Sequence, residues 1–419
     1  MGDTFEIQGG KKLRGEIEVR GSKNAATPIL AATVLTQEKC VISNIPLIED
    51  VFRMIELLES IGAKVEWIGK NKISIEAKNI VPEKMDLETV KKLRSSILFL
   101  GPLSARFHKF QIYHPGGCVI GERPVGTHFD ALRKMGIKIT QDGKFYFIDA
   151  RQRKSAKVVL REFSVTATEN AMMLAAGLPG KTIIKIAAAE PHVEDLGNFL
   201  ISMGAKIKGL GTHTLEINGT KKLRGAKHSI IPDANEAATF LIMGVATGSR
   251  IKVKNAIEKN LDIVLEKLQE FGAQFKIGKN YIEVIPAKKL KAVSKVDTRT
   301  YPGIPSDIQA PLGVLATQAK GKTLIFDTIF EGRFNYIKEL HKMGAKAEIL
   351  DSHRAIIEGP TKLAGKVINS FDLRAGASLI IAALLAKGKT IINDAYQVDR
   401  GYEKIEERLK KLGANIKRV

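Results

Sequence analysis

The sequence predicts an α/β protein of two domains, each built from three repeats, with helices inside and sheets outside. Three observations lead to this prediction. A phrase of helix, glycine and alternating strand recurs six times, about 70 residues apart, and its copies account for the whole chain of 419 residues. Each repeat also contains a helix that is apolar on most faces and must therefore be buried. A chain this long exceeds one comfortable hydrophobic core, which favours two domains.

The recurring phrase ends an amphipathic helix at a glycine. The six glycines are Gly62, Gly136, Gly204, Gly272, Gly344 and Gly413. Glycine is favoured there because the chain leaves a helix through a left-handed conformation. In the first repeat, residues 54–61 place apolar side chains at helical spacing and residues 73–76 alternate as a strand does. We predict that each repeat runs strand, buried helix, strand, outer helix, strand, strand.

The buried helices are predicted from runs of apolar residues. They cover residues 25–35, 97–103, 170–178, 237–246, 310–317 and 377–386. Their starts are polar, and three carry a cation: Lys23, Arg94 and Arg374. Ordinary capping is the alternative at any single start. A cation at a helix N-terminus opposes the helix dipole, however, and so favours an anionic ligand. If the helices of each domain run parallel, their N-termini converge, and two such faces across a cleft would hold a strongly anionic substrate.

Composition excludes several classes of protein. The apolar content of 44% suits a globular protein, and no apolar run approaches the roughly 20 residues that span a bilayer. The first residues do not resemble a signal peptide. Two cysteines, Cys40 and Cys118, provide neither a disulfide framework nor a zinc cluster, and the histidines show no metal spacing. We therefore predict a cytoplasmic protein with no metal and no cofactor.

The net charge of +21 has two interpretations. A basic scaffold that binds nucleic acid is one of them. The other is a lysine-rich surface on a protein whose anionic small-molecule substrates are held by a few arginines. Aromatic residues make up only 6% of the chain, and the lysines are spread over all six repeats, so the second interpretation is favoured.

A glycine-rich loop at residues 115–124 interrupts the repeat pattern and carries Cys118 and Arg123. Glycines allow the backbone to approach a ligand closely. A cysteine beside cations has a lowered pKa and can act as a nucleophile or an acid. The alternative is a surface loop with an inert thiol. Cys40, in contrast, lies in an apolar segment and is predicted to be a buried strand residue.

A second candidate segment is Tyr301-Pro302-Gly303-Ile304-Pro305-Ser306-Asp307, where two prolines fix the entry to a buried helix. A carboxylate held rigidly at a cleft is a candidate general base, which Asp307 would be. The alternative is an ordinary N-cap aspartate. Arg333 and Arg400 add cations, and each is predicted to lie in a turn between a strand and an outer helix.

Four segments together resemble the UDP-N-acetylglucosamine 1-carboxyvinyltransferases, a family of enolpyruvyl transferases. They are Gly21-Ser22-Lys23-Asn24-Ala25, the loop from Gly117-Cys118 to Arg123-Pro124-Val125, Phe330-Glu331 with Arg333-Phe334, and Asp399-Arg400-Gly401-Tyr402-Glu403. The resemblance covers essentially the whole chain. It implies two inside-out α/β domains of three repeats each. Residues 1–21 with 232–419 would form one domain, and residues 22–231 the other.

The resemblance implies that the enolpyruvyl group of phosphoenolpyruvate passes to the 3-hydroxyl of UDP-N-acetylglucosamine, a step of peptidoglycan precursor synthesis. Cys118 would protonate the enolpyruvyl methylene or assist product release, and fosfomycin alkylates the cysteine of members that have one here. Asp307 would accept the hydroxyl proton. Lys23, Arg123 and Arg400 would hold phosphoenolpyruvate, with Arg94, Arg333 and Arg374 completing a cationic cluster. The acceptor would contact Asn24, Arg123, Pro124, Val125, Gly126, Thr127, Ser164, Val165, Thr166 and Ile329.

The departures from the family pattern lie on or near the nucleotide side. Gly126 stands where the family usually has aspartate, Thr166 occupies a usual glycine, and Glu162 replaces a frequent lysine. Glu122 replaces a small residue, and the segment from Asp233 lacks a common arginine. A glutamate near a diphosphate removes attraction and adds repulsion. The same chemistry with another nucleotide, or with a shikimate phosphate, therefore stays an alternative, although Cys118 argues against the latter.

Overall fold

The computed structural model describes residues 3–116 and 124–419. In chain order, its strands are β1 (Phe5–Gln8), β2 (Arg14–Glu18), β3 (Cys40–Ser43), β4 (Lys64–Gly69), β5 (Lys72–Glu76), β6 (Lys109–Tyr113), β7 (Lys138–Asp142), β8 (Phe145–Asp149), β9 (Lys157–Val159), β10 (Gly180–Lys185), β11 (Lys206–Lys208), β12 (Thr214–Gly219), β13 (Lys227–Ser229), β14 (Arg250–Lys254), β15 (Gln274–Gly278), β16 (Tyr281–Ile285), β17 (Lys295–Thr298), β18 (Gly321–Asp327), β19 (Lys346–Ile349), β20 (Arg354–Gly359), β21 (Val367–Asn369), β22 (Lys389–Asn393) and β23 (Asn415–Arg418).

The α-helices are α1 (Lys23–Ala32), α2 (Glu49–Ser60), α3 (Leu87–Lys92), α4 (Leu100–Arg106), α5 (Gly126–Lys134), α6 (Val165–Ala176), α7 (Pro191–Ser202), α8 (Ala234–Ala246), α9 (Asp262–Glu270), α10 (Gln309–Ala316), α11 (Asn335–Lys342), α12 (Leu373–Leu385), α13 (Tyr396–Asp399) and α14 (Ile405–Lys411). Short 3₁₀ segments occupy Thr33–Leu35, Pro82–Lys84, Arg94–Phe99, Glu258–Asn260 and Ser306–Ile308. Among residues 3–116 and 124–419, none of the helices combines the length and apolar character that a bilayer crossing requires.

The described residues form two compact units with three sheets each. One unit joins the N-terminal residues up to Arg20 to Pro232–Val419, and we call it the terminal unit. The other, the central unit, runs from Gly21 to Ile231. The chain passes from one unit to the other after β2 and again after β13. Strand β2 pairs in parallel with β14 and so belongs to the terminal unit, and β13 pairs in parallel with β3 and so belongs to the central unit.

The terminal unit has its helices inside and its sheets outside, as predicted. Its sheets have the strand orders β15-β16-β14-β2, β17-β18-β20-β19 and β21-β22-β1-β23. Helices α8, α10 and α12 pack on one another, and nearly all of their residues are buried. Strand β1 completes the last sheet by pairing antiparallel with both β22 and β23. The chain's first strand is therefore part of its last repeat.

The central unit follows the same plan, with strand orders β13-β3-β5-β4, β6-β8-β7 and β11-β12-β10-β9. Its second repeat is an exception to our prediction. Helix α3 stands where a first strand was predicted, so this sheet has three strands. The buried helix is also divided into the 3₁₀ segment Arg94–Phe99 and helix α4. Pro102 is the third residue of α4, where a missing N–H costs no helical hydrogen bond, so the α-helical pattern begins only at Leu100.

The recurring glycines confirm the prediction of a left-handed residue after each outer helix. All six have positive φ, between 82° at Gly136 and 113° at Gly204. A side chain at such a backbone conformation would be strained. The recurrence of glycine therefore reflects the need for a left-handed backbone conformation after each outer helix.

Helix α6 of the central unit buries a carboxyl group, which makes a pH-dependent prediction possible. Glu169 is 1% exposed, and within the described part of the chain its Oε1 has no hydrogen-bond partner. Burial, with a smaller contribution from the charge of Glu190, raises the pKa of Glu169 well above its ordinary value. The folded protein therefore keeps a proton that the unfolded chain releases, and stability is lost as the pH rises above about 4.5 toward the folded pKa.

We expect Glu169→Gln to remove this loss, so that the variant loses less free energy of unfolding than the parent between pH 5 and pH 8. Chemical denaturation at several pH values measures it. Glu88→Gln, at a side chain that is 69% exposed, is the control and should keep the parent's pH dependence. Equal pH dependence in parent and Glu169→Gln would contradict the prediction.

Candidate active site

Three buried helices of the terminal unit bring polar side chains together at their starts. Asp307 precedes α10, Asn235 is the second residue of α8, and Arg374 is the second residue of α12. The Asp307 carboxylate accepts hydrogen bonds from Asn235 Nδ2 at 3.2 Å and from Arg374 Nε at 3.2 Å. Its other oxygen accepts from Arg333 Nη2 at 3.0 Å. The N-termini of these helices therefore converge, as the repeat comparison predicted.

Asp307 does not cap α10. The N-cap position of that helix belongs to Ile308, and Pro305 precedes the 3₁₀ turn that contains Asp307. The carboxylate instead accepts from side chains of three other segments. Its side chain stays 25% exposed. The N-cap interpretation raised by the sequence is therefore wrong for this residue.

A ring of hydrogen bonds holds the cluster in place. Arg374 donates to Asp307 and, through Nη1, to the Tyr402 hydroxyl at 3.2 Å. The Tyr402 and Thr239 hydroxyls are 2.9 Å apart, and Thr239 donates to the Asn235 carbonyl at 2.8 Å. The Asn235 side-chain amide donates to Asp307 Oδ2, which closes the ring. Since each link of the ring joins a donor to an acceptor, the ring fixes the orientation of the side chains in it.

The charge on Arg374 is stabilised by its neighbours. The residue is 4% exposed, and burial alone would lower the pKa of its guanidinium group. Attraction to Asp307, with smaller effects from Tyr402 and Asp233, outweighs burial and raises that pKa above its ordinary value. Burial also raises the pKa of the Tyr402 hydroxyl, which keeps its proton for the ring. Arg374 is therefore a permanent cation at this site.

Two more predicted residues lie in the terminal unit. Ile329 is 40% exposed in the turn that follows β18, four residues before Arg333. Arg400 is half-buried directly after the one-turn helix α13, which we did not predict, and its Nη1 lies 3.4 Å from Gln397 Oε1. The expected turn between strand and outer helix is thus partly helical at Arg400.

Lys23 and Asn24 are the first two residues of α1 in the central unit. Ser22 caps this helix by accepting from Ala25 N. The Lys23 ammonium group lies 2.6 Å from Asp50 Oδ2, and both side chains are largely buried. A lysine at a helix start is thus balanced by a carboxylate of the neighbouring helix α2. The Asn24 side chain is half-buried at the same helix start.

Arg94 is the first residue of its 3₁₀ segment, and its charge acts on the end of β6. Burial, followed by the positive charge of Arg94, lowers the pKa of His114. The His114 ring is also 2.6 Å from the Tyr146 hydroxyl. His114 directly follows β6 and lies three residues before Gly117, so Arg94 lies near the described residue that leads into the glycine-rich loop. Cys118 and Arg123 themselves lie outside the described residues.

The starts of α5 and α6 contact each other. Together with the residues directly before each helix, they contain most of the residues predicted to bind the acceptor. Gly126 and Thr127 begin α5, preceded by Pro124 and Val125. Thr127 Oγ1 donates to Glu162 Oε1 at 2.6 Å. Glu162 stands where the family frequently has a lysine. The start of α5 therefore holds its carboxylate through a hydrogen bond from a hydroxyl group.

Thr166 has a defined hydrogen-bond direction at the start of α6, where Ser164 is the N-cap and Val165 the first residue. Asn170 Oδ1 accepts from Gly101 N, so Asn170 Nδ2 must be the atom that donates to His128 Nδ1 at 3.0 Å. The ring proton of His128 is then on Nε2, which faces Thr166 Oγ1 at 3.0 Å. Thr166 Oγ1 therefore accepts a hydrogen bond from this N–H group, and its own hydroxyl hydrogen points away from His128.

Comparison with known proteins identifies the family. A family model described as EPSP synthase (3-phosphoshikimate 1-carboxyvinyltransferase) matches residues 7–409. The chain belongs to the EPSP synthase family of carboxyvinyltransferases. A relative from Koribacter versatilis is 43% identical over 100% of this chain and 96% of its own length. Another, from Coxiella burnetii, is 44% identical over the same shares. Both are named UDP-N-acetylglucosamine 1-carboxyvinyltransferase, which confirms the resemblance drawn from the motifs.

Solved structures of this family share the fold. The enolpyruvyl transferase NikO from Streptomyces tendae matches with a TM-score of 0.90 at 24% identity, and covers 100% of this chain and 99% of its own. EPSP synthase from Acinetobacter baumannii matches with a TM-score of 0.74 at 20% identity over 100% of both chains. These matches confirm the predicted α/β architecture of the carboxyvinyltransferase.

The candidate site contains residues to which the sequence analysis gave no role. They are Asn235, Thr239, Asp327, Tyr402, His128 and Asn170. The repeats contained a signal for one of them, because Asn235 occupies the same place in its repeat as Asp307 and Arg374 do in theirs. Within the described ranges, no group of three or more His, Cys, Asp or Glu residues could hold a metal ion.

The two cysteines of this carboxyvinyltransferase should differ sharply in reactivity. Cys40 is the first residue of β3 and is fully buried, as predicted, and burial raises the pKa of its thiol. A buried thiol with a raised pKa is inert. We expect Cys118→Ala to show no thiol that reacts with an alkylating reagent under native conditions and one after denaturation. The parent should show one native reactive thiol, and native labelling of Cys118→Ala at Cys40 would contradict the prediction.

Proposed function

We propose that the protein transfers the enolpyruvyl group of phosphoenolpyruvate to the 3-hydroxyl of UDP-N-acetylglucosamine and releases phosphate. The observation that carries the proposal is the position of Asp307, a carboxylate whose orientation is fixed by Arg333, Arg374 and Asn235 at the converging helix starts. A carboxylate held rigidly within reach of a substrate hydroxyl can act as a general base. Full-length relatives named for this transfer, at 43% and 44% identity, support the choice of substrates.

The reaction proceeds by addition and elimination. In the addition, the sugar 3-hydroxyl gives its proton to Asp307 while its oxygen bonds to C2 of phosphoenolpyruvate. C3 of phosphoenolpyruvate takes a proton from Cys118, and a tetrahedral intermediate forms. In the elimination, C3 returns a proton to the Cys118 thiolate, the bond from C2 to the phosphate oxygen breaks, and inorganic phosphate leaves with the proton that Asp307 had taken. The product is the enolpyruvyl ether of the sugar nucleotide.

Cations carry the binding of phosphoenolpyruvate in this proposal. Lys23, Arg123 and Arg400 hold the substrate, and Arg94, Arg333 and Arg374 complete the cluster. Preorganised cations stabilise charge that develops in the transition state, and they need no reorganisation when it forms. Arg374 fits this role because its charge is fixed by its neighbours and its side chain is locked in a hydrogen-bonded ring.

The acceptor is assigned to the α5 and α6 starts, to Asn24 and to Ile329. A second candidate keeps the chemistry and takes a different nucleotide or phosphorylated acceptor. It is favoured by Glu162, whose carboxylate lies within hydrogen-bond distance of Thr127, where a diphosphate would meet a negative charge. In both versions the substrates are small molecules, the reaction needs no metal or cofactor, and the protein works in the cytoplasm. With UDP-N-acetylglucosamine as the acceptor, the product is a precursor of the cell wall.

Phosphate release from phosphoenolpyruvate tests the proposal. The assay is run with and without UDP-N-acetylglucosamine, with Cys118→Ala as the control for turnover by this site. Release that requires the sugar nucleotide supports the proposed acceptor. No release, together with a rise in melting temperature on adding phosphoenolpyruvate, would replace UDP-N-acetylglucosamine by another acceptor. Salt-sensitive binding of DNA or RNA without stabilisation by either substrate would favour the nucleic-acid alternative.

A further inference from the structure

Asp327 joins two segments of the terminal unit that carry residues of the proposed reaction. It is the last residue of β18 and is fully buried. Its Oδ1 accepts from Thr298 Oγ1 at 3.0 Å and from the backbone N–H groups of Ile329 at 3.0 Å and Phe330 at 3.1 Å. Its Oδ2 accepts from Ser306 Oγ at 2.5 Å. The carboxylate thus uses both oxygens on neutral donors.

The two segments that Asp327 joins meet again through Arg333. Ser306 is the residue before Asp307, and the turn that holds Ile329 and Phe330 leads to Arg333. Arg333 Nη1 donates to the Ser306 carbonyl at 3.3 Å, and Nη2 donates to Asp307 Oδ1 at 3.0 Å. A closed path of contacts therefore runs from Asp327 through Ser306 to Arg333 and back along the turn.

The presence of an aspartate at position 327 is informative because folding alone does not require a carboxylate there. Burying a carboxylate among neutral donors costs free energy, and four hydrogen bonds only partly offset that cost. An asparagine would serve the Oδ1 partners equally well. It would, however, present an N–H group to Ser306 Oγ, which would then accept and would lose Asp327 as the acceptor for its own hydroxyl proton. Only a carboxylate accepts from both segments at once.

We infer that Asp327 is a positioning residue for the proposed transfer: it holds the turn that carries Asp307 against the loop that carries Arg333. It touches neither substrate and acts through Asp307. The inference rests on the proposed function, because that proposal makes Asp307 the proton acceptor. Small displacements of a positioned base are sufficient to reduce turnover strongly.

The first test compares kcat and KM in Asp327→Asn. We expect kcat to fall about 10- to 100-fold, while KM for phosphoenolpyruvate changes less than about threefold, since the variant alters the placement of the base rather than substrate binding. In an Asp307→Asn background, Asp327→Asn should lower kcat no further, because its target has already been lost. Additive losses, or an unchanged kcat in the single variant, would overturn the inference.

A matched control separates positioning from stability. Asp195 is a buried carboxylate of the central unit that accepts from His228 Nε2 at 2.9 Å and from Ile231 N at 3.2 Å. Asp195→Asn makes the same chemical change, and it should lower the melting temperature without lowering kcat of the folded protein. If both variants lower kcat in proportion to their loss of folded protein, Asp327 has only a structural role.

A crystal structure of Asp327→Ala tests the inference without any substrate. We expect Arg333 to lose its contact with Asp307, which is 3.0 Å in the parent, or the 306–307 turn to shift away. An unchanged contact would overturn the inference, whatever the substrates are. If instead the parent releases no phosphate but the contact is lost in Asp327→Ala, the proposed function fails while the positioning role stands.

Discussion

Asp307→Asn is expected to lower kcat by about 10²- to 10⁴-fold, the usual contribution of a positioned general base. Asparagine has the same size and keeps an acceptor oxygen for one guanidinium partner, but it cannot take a proton from a sugar hydroxyl. KM for phosphoenolpyruvate should change far less than kcat. Steady-state phosphate release measures both quantities, and circular dichroism checks the fold.

Asp86→Asn is the control for this experiment. Asp86 is the N-cap of α3 and accepts from Thr89 N at 2.7 Å, so it represents the role that Asp307 does not have. Asparagine is as good an N-cap as aspartate, and this variant should keep full activity. Turnover by Asp307→Asn within about threefold of the parent would remove Asp307 from the chemistry and leave it as an anchor for Arg333 and Arg374.

The repeat architecture could be predicted because its signals are local. A glycine at positive φ, an apolar helix and an alternating strand each leave their mark within a few residues, and a sixfold period strengthens a weak signal. The second repeat shows the limit of this reasoning. Residues 87–92 form a helix where the other repeats have a strand, and only the local sequence, not the period, could have indicated it.

The candidate site was predictable at its helix starts and not in its hydrogen-bond partners. Arg374 and Asp307 are 67 residues apart in the chain, and Thr239 and Tyr402 are 163 apart. The repeat comparison showed that polar residues recur at the same place in each unit. Which of them touch depends on how three helices pack, and the period does not encode that packing.

Asp327 was missed for a related reason. It lies at the end of a strand, where an acidic residue is unremarkable in sequence, and its four donors come from three segments of the chain. The proximity of Ser306 to Asp307 was visible, but the strand that would supply the acceptor for Ser306 was not. A network centred on a buried carboxylate becomes recognisable only when these segments are in place.

Arg374→Met is expected to lower the free energy of unfolding by about 3 kcal/mol, because removing one partner of a buried ion pair leaves the other charge poorly compensated. Methionine fills a similar volume, so the loss reports the charge and its hydrogen bonds rather than a cavity. Asp307 would keep Arg333 and Asn235 as partners. Urea denaturation followed by circular dichroism measures the change.

The surface pair of Arg299 and Asp297 provides the matched control. The Arg299 side chain is 67% exposed and its Nη2 is 2.8 Å from Asp297 Oδ2. Exposed pairs contribute little, so Arg299→Met should cost less than about 1 kcal/mol. Combining Arg374→Met with Asp307→Asn should cost less than the sum of the two single variants, since the second change neutralises the carboxylate that the first leaves uncompensated. Strictly additive costs would mean that Arg374 is held mainly by Tyr402 and packing. The ion pair of Arg374 and Asp307 would then not be the interaction that holds the starts of α12 and α10 together.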